Sequence, residues 1–402
     1  MSQRTRRLYR DDPYLLEFEA NVVARREVQG KPAVVLDETA FYAESGGQPW
    51  DTGTLDAVQV VAVLEQGDEI VHLLSGPLSA DRVRGRVDGD RRRDHRQQHH
   101  GQHLLSRAFV ELHSARTTSF HLGSEVSTID LDRLVGDEQI AAAVARTNEV
   151  VWSARPVRVR TVTRAEAQGL GVTAPEDAGD AVRLVEAEGF DLQPCGGTHP
   201  RSTAEVGCVA VVGDERYKGG TRVRFVCGHR ALAAFREAQR KLEAAAAQLS
   251  VPAASVPEAV TRIGDQLAAA RRLTTGLQEQ VARLEAKQLY RDARAATDTA
   301  ATPVVVARLD GRPPEALQTL ARALVAEGPC VALVGGAGDK AYLVFAQSPG
   351  LGRDIPGLLK PSLALLGGRG GGKGDVAQGA GDQLDRLDEA LQLAATAAGT
   401  AP

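Results

Sequence analysis

The sequence predicts an α+β chain of several modules: a β-rich, barrel-like N-terminal module, an α+β metal-binding domain, an antiparallel helical hairpin and a C-terminal α/β module. Three observations carry this. A length of 402 residues, 43% hydrophobic and 25% charged, exceeds what one hydrophobic core usually organises. Short β-type runs fill the first ninety residues and give way to helical periodicity near Arg96. After Gly228 the composition shifts to Ala, Leu, Arg, Glu and Gln, the make-up of long helices. The boundaries read from these shifts are 1–90, 91–228, 229–298 and 299–396.

In the first module, Ala33-Val34-Val35-Leu36 and the run from Val58 to Leu64 are strand-like and are broken by Gly and Asp turns. Beyond Arg96, Leu104, Leu105, Ala108, Phe109 and Leu112 form the stripe of an amphipathic helix. Helical stretches near 137–152 and 164–169 follow, and strands return through 206–212 and 222–226. Leu232, Phe235, Leu242 and Leu249 mark a long helix, which Pro252 and Pro257 interrupt. Ser255 with Glu258 has capping-box spacing for a second helix, whose heptad seam is Val260, Ile263, Leu267, Ala270, Leu277, Val281 and Leu284. Consecutive helices with a short connection favour an intramolecular antiparallel hairpin over an intermolecular coiled coil. Past Thr299, strand-like runs at 303–307, 330–334 and 341–345 announce the α/β module.

Composition narrows the function classes. Aromatic residues make up only 4%, so the cores rest on Ala, Val and Leu. A net charge of -4 excludes a uniformly basic coat, so any RNA contact is a local patch, and DNA is not expected as a partner. Only seven of the 48 basic residues are Lys; Arg suits bidentate phosphate contact, and such a bias also arises from genome composition. Four Cys are too few for a disulfide framework at this length and fit a reducing compartment. The charged start has no apolar core, and no run of about 18 apolar residues occurs, so a cytoplasmic protein without membrane contact is expected.

The residues suited to chemistry fall in three clusters. His99 and His103 stand four apart on one helix face, the spacing of a metal pair. His100 follows the first of them where a metalloprotease helix has Glu, which disfavours that mechanism. It is a bystander, a group behind the ligands or a proton carrier. Some ninety residues on, Cys195-Gly196-Gly197-Thr198-His199 adds a thiolate and an imidazole, completing a tetrahedral zinc set, one ion per chain. The second cluster runs from Thr39 to Gly53. Gly46 and Gly47 let a backbone approach a ligand or make a hairpin turn, and Gln48 offers a donor and an acceptor. In the third, Gly367 to Gly379, Gly374 follows Lys373 where a P-loop needs Ser or Thr. Arg369 and Lys373 on a mobile glycine backbone therefore suit an RNA phosphate surface.

In this order the clusters resemble the editing region of alanyl-tRNA synthetase and its freestanding relatives, the AlaX trans-editing proteins, over nearly the whole chain. Residues 7–20 and 39–48 match that family's β-rich module. His99, His103, Cys195 and His199 fall on its zinc-ligand positions, and the glycine-rich tail matches the tRNA-binding domain that closes the synthetases. His100 and Gly101 depart from it, replacing a small hydroxyl and Ala; so does Ser45, where Gly is common. The resemblance implies a long-form AlaX protein that does not activate alanine. Its partner would be tRNA(Ala) carrying the wrong amino acid, serine or glycine, and a homodimer through the C-terminal part is compatible with it.

Hydrolysis of such an ester passes through a tetrahedral species whose oxyanion must be stabilised. Zinc would polarise the ester, lower the pKa of a bound water, or anchor the pocket if four protein ligands close its shell. A pocket that hydrogen-bonds the serine hydroxyl would spare the alanine ester by up to about 10⁴ to 10⁵. Ser119 and His121, in the stretch after the metal helix, lie where the family places a side chain that reads this hydroxyl. The rival reading is a zinc-containing tRNA-binding module without hydrolytic activity.

Overall fold

The computed structural model describes residues 4–174, 179–298 and 300–400. It divides into two compact units, Met1–Ala245 and Ala246–Pro402.

In the first unit, six strands pair in the order Glu17–Val28, Lys31–Leu36, Glu69–Leu74, Val58–Gln66, Gly53–Leu55 and Arg82–Val87, and the last pairs back to the first. The ring has an inside because its strands alternate: Arg82–Val87 points Val83, Gly85 and Val87 inward and its three arginines outward. Phe18, Leu36, Phe41, Leu55, Val63, Ile70 and Leu74 fill the interior.

Asp88 ends the ring and starts the helix Gly89–His113, its carboxylate accepting from the backbone N–H groups of Asp90 and Arg91 at 3.0 and 3.1 Å. The helix therefore begins seven residues before Arg96. Leu104, Leu105, Ala108 and Phe109 are buried as expected, whereas Leu112 is exposed. A four-stranded antiparallel sheet, ordered Val209–Tyr217, Gly220–Cys227, Ser127–Leu131, Thr117–Leu122, packs its apolar side on this helix and on Asp137–Trp152. A three-stranded sheet of Val157–Thr163, Ala181–Ala187 and Asp191–Pro194 leads into the Cys195 loop.

The second unit is a five-stranded sheet ordered Val304–Arg308, Val331–Ala337, Ala341–Gln347, Val376–Gly381, Arg369–Lys373, with only the first pair parallel. Both faces are covered. Leu333, Leu343 and Phe345 pack on Ile355–Leu365 and Leu387–Thr400, while Ala332, Val334 and Val344 pack on Pro314–Glu327 and on Ala282 and Ala286 of the helix Val256–Ala295. That helix differs from expectation in two ways. Ser255 makes no side-chain cap, and the seam residues Val260, Ile263, Leu267, Leu277, Val281 and Leu284 are exposed while small Ala faces the sheet.

The glycine-rich tail forms a β-hairpin of the strands Arg369–Lys373 and Val376–Gly381. Gly374, at φ +67°, makes its turn. A Cβ on Gly370 would come within 2.3 Å of the Gln378 carbonyl oxygen, so glycine there serves close packing of strand on strand. Among the described residues no helix is long and apolar enough to cross a membrane.

Candidate metal centre

The helix Gly89–His113 buries a polar stripe, which needs an anchor at each turn. Arg92, fully buried, pairs with fully buried Asp51 and donates to the carbonyls of Pro13 at 2.9 Å and Ala40 at 2.6 Å. Gln98 receives the Cys227 N–H at 2.9 Å and donates to its carbonyl at 3.0 Å, tying the helix to the neighbouring sheet. Between these anchors His99, His100 and His103 are held inside, each at most 5% exposed.

Opposite them, the strand Asp191–Pro194 delivers the Cys195–His199 loop. A Cβ on Gly197 would lie 2.2 Å from Cε1 of His99 and 3.0 Å from Oε1 of Gln48, so only glycine lets the loop close on the helix. The result is the grouping expected from spacing. Donor atoms of His99, His103, Cys195 and His199 all lie within 4.8 Å of one another. Bonds of roughly 2.0–2.3 Å about a tetrahedral ion put neighbouring donors roughly 3.3–3.7 Å apart. Cys195 Sγ stands 3.3 Å from Nε2 of His99 and 3.2 Å from Nε2 of His199.

Polar groups stand behind the outer nitrogens, hydrogen-bonded to those of His99 and His199 and facing that of His103. His99 Nδ1–H donates to Gln48 Oε1 at 2.8 Å, His103 Nδ1 faces the Asp191 carboxylate at 3.4 Å, and His199 Nδ1 meets His100 Nδ1 at 3.2 Å. Metal-binding imidazoles are oriented this way, the far nitrogen held by a polar partner while the near one faces the ion. Electrostatics agree. Burial opposes ionisation of Cys195, but the three surrounding imidazoles carry its thiol well below the usual range, towards the thiolate a metal takes. Burial likewise opposes protonation of His103, yet Cys195 and Asp191 outweigh it and raise its pKa to about 10. Burial lowers His199 to about 3 despite Cys195. The donor set fits a soft divalent ion such as zinc.

Gln48 is the hinge between the two motifs. Its Oε1 also accepts from the Thr198 N–H at 3.1 Å, and its Nε2 donates to Thr198 Oγ1 at 2.9 Å. Gly46 and Gly47, at φ +54° and +79°, do make a turn, closed by Ser45 and Gln48. That turn also approaches the site, because a Cβ on Gly47 would press into the Phe120 ring at 2.6 Å. Phe120 in turn lies 6.0 Å, centroid to centroid, from His99. Strand alternation sends its neighbours to the other face. Ser119 donates to Asp130 at 2.6 Å, a carboxylate held by Arg222, and His121 is exposed opposite Thr128. Sequence reasoning passed over Asp191, Thr198, Phe120 and the Asp51–Arg92 pair; only strand alternation through residues 119–121 offered a signal. In the second unit Arg369 and Lys373 are exposed on an edge strand.

Known proteins match along the chain. Residues 14–91 match a family described as tRNA synthetases class II (A), residues 182–224 the threonyl and alanyl tRNA synthetase second additional domain, and residues 301–400 the DHHA1 domain. Alanine–tRNA ligase of Halobacterium salinarum is 35% identical over 99% of this chain and 44% of its own length. Those of Pyrococcus abyssi and Archaeoglobus fulgidus are 31% and 32% identical over 96% and 97% of this chain, each over 43% of their own length. The chain thus spans less than half the length of these relatives. The crystal structure of the C-Ala domain from Aquifex aeolicus alanyl-tRNA synthetase matches 25% of this chain and 94% of that domain, at 25% identity and a TM-score of 0.23.

Proposed function

From the premise that this chain carries an alanyl-tRNA-synthetase-like editing region, we propose that it is a hydrolase which removes serine, and by extension glycine, from mischarged tRNA(Ala). The observation that carries the reading is the convergence of His99, His103, Cys195 and His199, with Gln48 and Asp191 behind two of them. Zinc, when bound, would supply a positive centre able to polarise the ester or anchor the substrate's amino group. The chain's own residues do the rest. Gly46 and Gly47 bring backbone close, Gln48 fixes His99 and the Thr198 backbone together, and Phe120 makes an apolar wall. Water adds to the ester carbonyl, the tetrahedral species expels the ribose hydroxyl, and free serine and tRNA leave.

Ser119 and His121 stand on the outer face, so reading of the serine hydroxyl is assigned to the Gly46–Gln48 side of the cluster. In the four-module division at residues 90, 228 and 298, the first two modules build this site and the C-terminal one grips tRNA phosphates through Arg369 and Lys373.

The test is release of serine from Ser-tRNA(Ala), with Ala-tRNA(Ala) as control, and loss of that release in the chelated protein and in Cys195→Ala. Equal rates on the two esters would overturn the reading. A second reading, a zinc-containing tRNA-binding module without hydrolysis, is favoured by one observation: four protein donors already complete a tetrahedral shell. Tight tRNA binding with no serine release would decide for it.

A further inference from the structure

His100 stands between two ligand positions and is 1% exposed. The helix is fixed there: a Cβ on the next residue, Gly101, would lie 2.2 Å from Cys227 Sγ, so the backbone is pressed against the strand Gly220–Cys227. That close approach sets the rotation that turns His100 inward, where its Nδ1 meets His199 Nδ1 at 3.2 Å. Its Nε2 is buried and has no hydrogen-bond partner among the described residues. A nitrogen shut off in this way cannot reach substrate, so His100 acts through His199.

The three imidazole ligands differ in what holds their outer nitrogen. Gln48 Oε1 accepts from Nδ1–H of His99 at 2.8 Å, whereas the Asp191 carboxylate faces Nδ1 of His103 at 3.4 Å without a hydrogen bond. An imidazole can accept or donate. Once its Nε2 lone pair is given to a metal, His199 must carry its proton on Nδ1 and donate to His100.

Building on the metal-site reading above, we infer that His100 is a positioning residue for His199: its Nδ1, 3.2 Å from His199 Nδ1, is the acceptor that fixes the ring so that Nε2 faces the Cys195 side of the cluster.

Chelator competition on the full chain, with zinc as the probe, reads this directly. Replacing a group that holds a metal ligand typically costs about 10–100-fold in affinity, so His100→Phe should weaken zinc by that factor. His100→Asn, whose carbonyl can accept, should stay within a few-fold of wild type. Wild-type affinity in His100→Phe would refute the positioning role. Zinc-free wild-type protein would refute the metal reading itself, while absence of serine release would refute only the proposed hydrolysis.

Discussion

Replacing Asp51 by Asn removes one charge of a pair in which both side chains are fully buried. Asp51 also accepts the Tyr42 N–H at 2.7 Å, so the carboxylate joins the Thr39–Gly53 loop to the helix that carries His99. Removal of one partner leaves Arg92 as an uncompensated buried cation, which costs about 3–5 kcal/mol. With a urea slope of about 3 kcal/mol per molar, the unfolding midpoint of the first unit should fall by roughly 1–1.7 M. Trp50 adjoins the pair and donates to the Val61 carbonyl, so its fluorescence reports the transition, best in a Trp152→Phe background because Trp152 is 70% exposed. The double variant Asp51→Leu with Arg92→Met, which leaves no buried charge, should lose less than the sum of the single changes by about 2 kcal/mol or more. An Asp51→Asn protein within about 1 kcal/mol of wild type would show that the pair does not anchor the helix.

Three further outcomes follow from the geometry. Gly197→Ala should push His99 off its position, since the new Cβ would sit 2.2 Å from the ring; chelator competition should show weaker metal binding with the rest of the unit still folded. Burial lowers the pKa of His72 to about 4 from an ordinary 6.5, so the unfolded chain takes the proton first as pH falls. Stability from this group is intact above about pH 6.5 and is lost towards pH 4, by up to about 3 kcal/mol, and His72→Asn should flatten that slope in denaturation curves. Arg369→Ala with Lys373→Ala should weaken tRNA binding equally for serine and alanine esters and reduce its salt dependence; unchanged affinity would remove the hairpin from the tRNA surface.

How much was legible depends on where the signal lay. The strands around Val34 and Val60 and the helix over Leu104 and Phe109 were readable because their apolar residues keep the period of the element. The helix start was not, since its first two turns are polar and are buried through distant partners, Arg92 through Asp51 and Asp94 through Arg230. The four candidate metal donors were readable because each motif fixes its donors locally, through a helical i, i+4 step and a glycine turn. What lies behind them was not. Asp191 and Thr198 stand there through contacts that no local pattern encodes, and for His100 a place behind the donors was one reading of three. Periodicity favoured the exposed seam of Val256–Ala295 over the side that is buried, because small Ala residues carry the sheet contact and Ala gives little amphipathic signal. The tail's strands were not legible either, because its glycines carry no strand signal, although Gly370 permits the close packing of strand on strand.

The two glycine motifs, 150 residues apart, are one device. Gln48 Oε1 takes the Nδ1–H of His99 and the N–H of Thr198, so a single amide sets the spacing between the helix and the cysteine loop. The Gln48 turn is itself pinned by Asp51 to Arg92, two turns before His99 on the same helix. Errors at any one of these contacts therefore reach the metal donors through rigid steps and not through solvent. A boundary at residue 90 separates composition and periodicity, but it cuts through this site. Residues 91–245 expressed alone would keep all four donors and lose the acceptor behind His99, so they should bind zinc about 10–100-fold more weakly than the whole chain. Adding back residues 1–90 in trans should restore the affinity if the ring acts by presenting Gln48, and a Gln48→Ala ring should not. Equal zinc affinity for 91–245 and the whole chain would mean that the cysteine loop and helix define the centre unaided.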